Sequence, residues 1–414
     1  MNLRVVNIGL SPNNTWKDTL VATGQILFPW NWLGWKKGSA RTELENRFAD
    51  FLGVGKSYAV GSGREGLYMI LKSLGLNGGD EIILQGFTCM VVVNAIVWAG
   101  LKPVFVDMDD SYNLDPEKLK EKIGPKTRAV LLQHTFGIPA EIKEIIKTCR
   151  ENNLTLIEDC AHAMGAEYQG KKVGTFGDLS FFSLGRSKVI SCVSGGIVVV
   201  NNSKYREAFE REFNESSEMP AGKIFQYLYH PIVCSKAKLL YGIQLGKLTM
   251  LVAQKLRLIN YEVTPSEKAG KLVKPFPTRL PNALAKVALV QFSLLEKFNA
   301  RRVAISEKYL QTLANIEGLK LPPKKAGAIW LRFPIEVDNP AKLMAAAKKE
   351  GVILGDWYTA PVAPPDINHE KSFYQKGSCS RVEKVCRRIV NLPTHQSITD
   401  RDLEKIIKIC SKLG

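Results

Sequence analysis

A chain of 414 residues, 45% apolar and 23% charged, with no low-complexity tract and no fixed-period repeat, is long enough for two or three folding units and excludes a disordered or fibrous protein. Its eight cysteines are scattered, without a CxxC pair or a histidine at metal-ligand spacing. Neither a disulfide framework nor a metal site is therefore expected, and the thiols read as reduced, in a cytoplasmic protein. The N-terminal "MNLRVVNIGLSPNNTW" lacks the basic start, apolar stretch and cleavage site of a secretory signal, while a formal charge of +17 implies attraction to something anionic: nucleic acid, a membrane surface or a phosphorylated small molecule.

From about residue 55, short apolar runs alternate with segments of helical period. "SYAV", "EIIL", "KPVFVD", "RAVLLQ" and "LTLIE" are predicted as strands, with "REGLYMILKSLG", "CMVVVNAIVWAG", "DPEKLKEKI" and "AEIKEIIKTCRENN" as the helices between them. That alternation predicts an α/β fold with a mainly parallel sheet covered on both faces. "DLSFFSL" and "GGIVVVN" follow without a full helix between them, so the sheet is expected to end in a less regular pair. After residue 300, "AIWLRFPIEV", "PAKLMAAAKKEG", "VILGDW" and "TDRDLEKIIKICSKL" predict a smaller C-terminal α/β unit. The chain divides accordingly into 1–205, an N-terminal arm and large domain; 206–270, a basic, apolar helical insertion; and 271–414, a connecting helix and small domain.

No acidic residue lies between Glu218 and Glu262, where Lys223, Lys236, Lys238, Lys247, Lys255 and Arg257 stand among apolar and aromatic side chains. No run there reaches the roughly 18–20 uninterrupted apolar residues of a membrane-spanning helix. A helical excursion packed on its own domain is the simpler reading, since charge runs are usually solvated faces. A basic amphipathic helix pair over 221–258, lying on an anionic membrane or against a partner, is the alternative. "FPWNWLGWKK" adds Trp30, Trp32 and Trp35 beside Lys36 and Lys37, which suits an interfacial anchor, a dimer contact or a substrate wall. The basic segment has no nucleic-acid reading motif, so nucleic acid is not expected as a partner.

In open α/β sheets, ligands bind beyond the carboxyl ends of the strands. "GSGREG" (61–66) is a glycine turn opening a helix, a place where free N–H groups attract phosphate. By itself such a turn is more often merely structural. Asp159 follows the strand "LTLIE" directly, with His162 three residues on; a lone carboxylate there is more often a helix cap. Ser183 leaves "DLSFF", and Lys188, the one lysine in "FFSLGRSKVISCVSGG", comes five residues later, followed by Gly195 and Gly196, which permit a close approach. Phosphate site, carboxylate and isolated amine together fit pyridoxal phosphate, which needs an anion cradle, a carboxylate to keep its ring nitrogen protonated, and an amine to bind its aldehyde. A partly desolvated lysine has a lowered pKa, which suits it to that task.

These residues, with "ELENRFADFLGV", "KPVFVDMDDSYNLDP", "HTFGIPAEI", "LIEDCAHAMGAEYQGKKVGTFGDLSFFSL", "RRVAISEKYL" and "NLPTHQSITDRDLEKII", resemble the DegT/DnrJ/StrS-type sugar aminotransferases of the fold-type I pyridoxal phosphate enzymes. The resemblance runs from about Gly38 to the C-terminus and is poorest over 205–270. It implies a fold-type I architecture and a homodimer. Lys188 would bind the cofactor covalently and Asp159 would face its ring nitrogen. His162 would stand near the ring and its phenolic oxygen, Ser183 at the phosphate, and the backbone of Gly63, Arg64 and Glu65 around that phosphate. Trp357 and Tyr358, in "GDWYTAP", fall in a region that approaches substrate.

The chain departs from the family pattern at several points. Arg64 is a cation where the family has Thr or a small residue, and Cys89 stands where an aromatic ring usually stacks on the cofactor, which leaves His162 or Phe87 to supply that wall. Pro277 takes the place of an Asn that a neighbouring subunit lends to the phosphate, so Arg64 is expected to supply the missing charge. The function this resemblance implies is transfer of an amino group from an amino acid, with glutamate the donor by family resemblance, to a nucleotide-linked keto sugar, for polysaccharide, glycolipid or secondary-metabolite biosynthesis. A sugar dehydratase and a non-catalytic membrane-associated protein on the same fold are the alternatives.

Overall fold

The computed structural model describes residues 5–243 and 245–412. The seven strands expected between residues 57 and 200 all form: β1 (Ser57–Val60), β2 (Glu81–Gln85), β3 (Lys102–Val106), β4 (Thr127–Gln133), β5 (Thr155–Asp159), β6 (Leu179–Ser183) and β7 (Gly196–Val200). They join in one sheet of spatial order β1-β7-β6-β5-β4-β2-β3. Strands β3, β2, β4, β5 and β6 run parallel, and β7 lies antiparallel to both β6 and β1. The irregular pair thus sits inside the sheet rather than at its end. The reason is the β6–β7 connection, which has no helix to carry the chain across the sheet and so returns the next strand antiparallel. That connection carries Lys188.

Alternation along the strands loads both faces. Val60, Ile82, Leu84, Leu131, Ile157, Phe181 and Val198 face one core, shared with helices α3 (Gly63–Ser73) and α4 (Met90–Trp98) and with the C-terminal unit. Ala59, Ile83, Val130, Leu132, Leu156, Phe182 and Ile197 face the other, shared with α2 (Ser39–Leu52), the helix Ile142–Glu151 and the helix Asn282–Phe292. Burial of both faces is what parallel strands require. The C-terminal unit is a three-stranded antiparallel sheet of Leu319–Lys320, Phe333–Val337 and Ile389–Leu392, with the helices Pro340–Lys349 and Asp400–Ser411. The N-terminal Val6–Asn7 pairs in parallel with Val352–Ile353 of that unit.

The basic segment folds into two long helices, Ala221–Leu239 and Leu245–Lys255. The first is integral to the fold. It buries Ile224, Leu228, Val233, Cys234 and Ala237, and its His230 Nε2 lies 2.9 Å from Ser11 Oγ beside α1 (Trp16–Leu27). The second buries only Gly246 and Ala253, leaving Leu245, Leu248, Leu251 and Val252 exposed. Among the described residues, no helix is long and apolar enough to cross a membrane.

Two glycines set the approach of β7 and β1 to the start of α3. A Cβ on Gly196 would lie 2.7 Å from the Gly63 nitrogen, and one on Gly61 would lie 2.1 Å from Thr278 Oγ1. The close approach expected at Gly196 is therefore to the Ser62–Gly63 turn. Replacing Gly196 with Val should push that turn outward and destabilise the protein by about 1–3 kcal/mol, read as a lower urea midpoint.

Candidate active site

At the carboxyl ends of β5 and β6 and the start of α3 opens a cavity of about 660 Å³. Gly63, Arg64, Glu65, Cys89, Asp159, His162, Ser183, Lys188, Trp357 and Tyr358, all expected at the site from sequence, line it together. They come from five separate stretches of the chain, and the topology alone brings them to one place.

Asp159 ends β5 and is 3% exposed. Its Oδ1 accepts the Ala161 N–H at 2.9 Å, and Oδ2 has no hydrogen-bond partner among the described residues. Burial raises its pKa, opposed by the Ala161 hydrogen bond and the Lys188 charge. Its neighbour Glu158 points to the opposite face, where burial is overcome by hydrogen bonds from His134 and the N–H groups of Gly177 and Gly174, holding its carboxyl below the usual range. His134, Glu158 and Cys160 lie close enough to hold a metal, but His134 Nδ1 already accepts the Ala140 N–H at 3.2 Å and Nε2 faces Glu158 at 3.1 Å, so their donors and acceptors serve the fold.

Lys188 is half-buried, and desolvation of its amine lowers its pKa; Glu262 and Asp159 oppose that shift. Its backbone is held from beneath: Asn13 Nδ2 donates to the carbonyls of Lys188 and Val189, and Arg302, wholly buried, donates to Asn13 Oδ1 at 3.0 Å and to the Val189 carbonyl at 2.6 Å. The amine thus projects from a fixed loop, 5.8 Å from the centre of the Trp357 ring.

The start of α3 forms the anion cradle. Ser62 caps the helix by accepting the Glu65 N–H at 3.3 Å, so Gly63 and Arg64 are left to offer their N–H groups, which have no acceptor within the helix. Ser183 Oγ accepts the Gly185 N–H at 3.3 Å and keeps its own proton to donate. The Arg64 side chain turns elsewhere than expected. Its guanidinium is ion-paired with Glu267 and donates to the Glu262 carbonyl at 3.0 Å, so it fastens the 262–267 segment over the mouth instead of offering its charge to a phosphate. The Glu65 carboxylate likewise faces away, accepting from Thr278 N and Oγ1 at 2.8 and 2.7 Å.

Of the two rings considered for the aromatic wall, His162 lines the cavity. It lies parallel to Trp357, 6.2 Å between centroids at 13°, and to Tyr358, 6.4 Å at 25°. Phe87 is fully buried behind Tyr358 and does not line the cavity. His162 Nδ1 accepts the Phe136 N–H at 3.3 Å, which puts the ring proton on Nε2. Burial first, then Lys188 and Arg332, push its pKa well below 6.5. Two residues escaped sequence reading. Glu262 closes the acid-free segment and bonds Ser187 Oγ at 2.6 Å, and Arg332 lies under Trp357. Neither belongs to a strand-end motif, so no local pattern marks them.

A buried carboxylate, a partly desolvated amine on a fixed loop and a helix-start anion cradle around one cavity, on this sheet, define a fold-type I pyridoxal phosphate enzyme. The chain belongs to the DegT/DnrJ/EryC1/StrS aminotransferase family, whose model matches residues 30–242 and 246–411. It is 27% identical over 399 residues to an uncharacterized protein of Methanocaldococcus jannaschii, MJ1066, covering 91% of this chain and 90% of that one. Its fold is similar to that of DesV from S. venezuelae, with a TM-score of 0.76 and 22% identity over 99% of this chain and 98% of that one. It is also similar to Helicobacter pylori PseC, an aminotransferase involved in the biosynthesis of pseudoaminic acid, with a TM-score of 0.73 and 18% identity over 96% of each chain.

The neutral His162 makes stability pH-dependent. Below about pH 6.5 the unfolded chain takes up a proton that the folded site refuses, so the contribution is complete above that pH and is lost as pH falls, by about 1.4 kcal/mol per unit. His162→Gln should therefore lose less stability than the wild type between pH 7 and 5, measured by denaturant titration at each pH.

Proposed function

We propose that this aminotransferase moves an amino group from an amino acid, with glutamate as the donor, to the keto group of a nucleotide-linked sugar. The observation that carries the reading is the juxtaposition of the half-buried Lys188 and the buried Asp159 on one cavity with the Gly63–Arg64 cradle. Pyridoxal phosphate, bound there, supplies an aldehyde that joins amines covalently and a cationic ring that draws electrons from them. Asp159, its Oδ2 free, holds the proton on the ring nitrogen. Gly63, Arg64 and Ser183 hold the phosphate through N–H and hydroxyl donors. Lys188, its ammonium destabilised by partial desolvation, would take and return the proton at the donor's α-carbon. His162 and Trp357 bound the reacting face and keep water out. The sugar acceptor is supported by the family match and by PseC's place in pseudoaminic acid biosynthesis. A sugar dehydratase is disfavoured, because related dehydratases carry histidine where Lys188 stands.

Lys188→Ala should abolish the absorbance near the visible edge that borohydride removes from the wild type, and lower transfer by roughly 10²–10⁴-fold. Amine transfer from glutamate is to be sought across a panel of keto-sugar nucleotides. Failure with every sugar, or retained absorbance in the variant, would refute the proposal.

Two further contacts belong to the same reading. A homodimer would follow the family pattern. Peripheral contact with an anionic membrane is favoured by the exposed Leu248, Leu251 and Leu256 beside Lys247 and Lys255, and by the exposed Trp30 and Trp32 of the arm. Because the helix Ala221–Leu239 is part of the core, the test is a surface change: Leu248→Glu with Leu251→Glu should cut co-sedimentation with phosphatidylglycerol vesicles several-fold while leaving cofactor absorbance intact. Equal sedimentation of both proteins would remove the membrane from the account.

A further inference from the structure

The anion cradle at the start of α3 has no cation of its own. Gly63 and Arg64 offer backbone N–H groups and Ser183 a hydroxyl, all neutral donors. The Arg64 guanidinium is bound to Glu267, and Lys268, also on the cavity, to Asp366. A helix start contributes about half a positive charge, against about 1.5–2 negative charges on a phosphate monoester at neutral pH. A phosphate held there is short of positive charge.

Arg186 stands beside that cradle. The chain leaves β6 at Ser183 and turns at once: the Lys188 N–H donates to the Gly185 carbonyl at 3.2 Å, which sets Arg186 at the second position of a tight turn between Ser183 and the reacting amine. A Cβ on Gly185 would lie 3.4 Å from Ser183 Oγ and 3.5 Å from Lys188 Cγ, so the loop is folded closely on itself here. Arg186 lines the cavity and is 8% exposed, yet among the described residues its guanidinium has neither a hydrogen bond nor an ion pair. Burial works against its charge, and Glu262 and Tyr227 favour it only from beyond hydrogen-bonding reach. The Glu262 carboxylate is itself engaged by Ser187 Oγ at 2.6 Å. On the helix Ala221–Leu239, His230 and Cys234 also feel Arg186, and both are uncharged: burial pushes the imidazole pKa well below 6.5 and the thiol pKa up. Five donors held out of bulk water without an acceptor are costly unless an anion completes the arrangement. A guanidinium fork meets phosphoryl oxygens with two parallel N–H bonds.

Resting on the assignment of this cavity to pyridoxal phosphate, we propose that Arg186 pairs with the phosphate of the cofactor and supplies the charge that neither the Arg64 guanidinium nor Pro277 provides. One turn of the chain then carries the phosphate hydroxyl, the phosphate cation and the amine that binds the aldehyde. The diphosphate of a nucleotide-linked sugar would present the same phosphoryl oxygens, and the experiment separates the two sources.

The full-length chain, stripped of cofactor, is titrated with pyridoxal phosphate and with pyridoxal, which lacks the phosphate, for the wild type, Arg186→Gln and Arg186→Lys. Absorbance near the visible edge reports binding, and melting temperature reports that each protein is folded. Affinity for pyridoxal phosphate should fall about tenfold or more in Arg186→Gln and less in Arg186→Lys, which keeps the charge but lacks the fork, with affinity for pyridoxal unchanged. In the loaded proteins, the phosphorus resonance of the cofactor should hold its position from about pH 8 to about pH 5.5 in the wild type and shift in Arg186→Gln, as the phosphate takes up a proton. An equal fall for both aldehydes would assign Arg186 to the fold of the loop and overturn the inference. Unchanged affinity for pyridoxal phosphate, or a phosphorus resonance that titrates alike in both proteins, would overturn it too. Weaker binding of uridine diphosphate to loaded Arg186→Gln, with cofactor affinity intact, would overturn it in favour of the substrate's diphosphate. Neither measurement reads amine transfer, so a chain that holds its cofactor through Arg186 yet aminates no sugar refutes the proposed reaction alone.

Discussion

Keeping one partly desolvated lysine amine on the same cavity as a buried carboxylate is the constraint around which the rest is arranged. Partial desolvation of Lys188 disfavours its cation, and burial of Asp159 disfavours its anion, so each makes the other tolerable. Such a pair can exist only where a backbone is rigid enough to prevent escape to water. The parallel sheet provides one side of that frame by ending β5 and β6 next to each other. The buried Arg302 and Asn13 provide the other by gripping the carbonyls of Lys188 and Val189.

Much of this was legible in the residues. The β-strand and helix periods between Ser57 and Val200 placed Asp159, Ser183 and Lys188 at strand ends, and strand-end position is a local property that the chain encodes in a few neighbouring residues. The sheet order was not, because whether β7 joins at an edge or slips between β6 and β1 depends on packing against α3 through Gly196 rather than on anything in "GGIVVVN". Side-chain direction was also hidden. Arg64 occupies the expected turn, but its guanidinium finds Glu267 from more than two hundred residues away along the chain. Phe87 is two residues from Cys89 and still faces the core, while His162 lies parallel to Trp357 and Tyr358 on the cavity.

The segment expected to be an insertion is matched by the family model except for residues 243–245, and its end lines the site. Residues 260–268 line the cavity, fastened by the Arg64–Glu267 ion pair, by the Thr264–Glu267 capping box and by Asn94 donating to the Glu267 carbonyl at 2.8 Å. The two basic helices that precede it anchor this cover to the N-terminal arm through the Ala221–Leu239 helix. A part of the chain that looks like an appendage in sequence therefore sets the shape of the entrance.

The arm has one more role by virtue of where it is tied. Its Val6–Asn7 is zipped to Val352–Ile353, only a few residues before Trp357, and its Asn13 grips the Lys188 carbonyl. A short strap therefore runs from the small unit to the catalytic loop, outside the main connection between the two halves. The backbone that carries the amine is thereby held by the same short segment that edges the C-terminal unit, so the position of one is tied to that of the other.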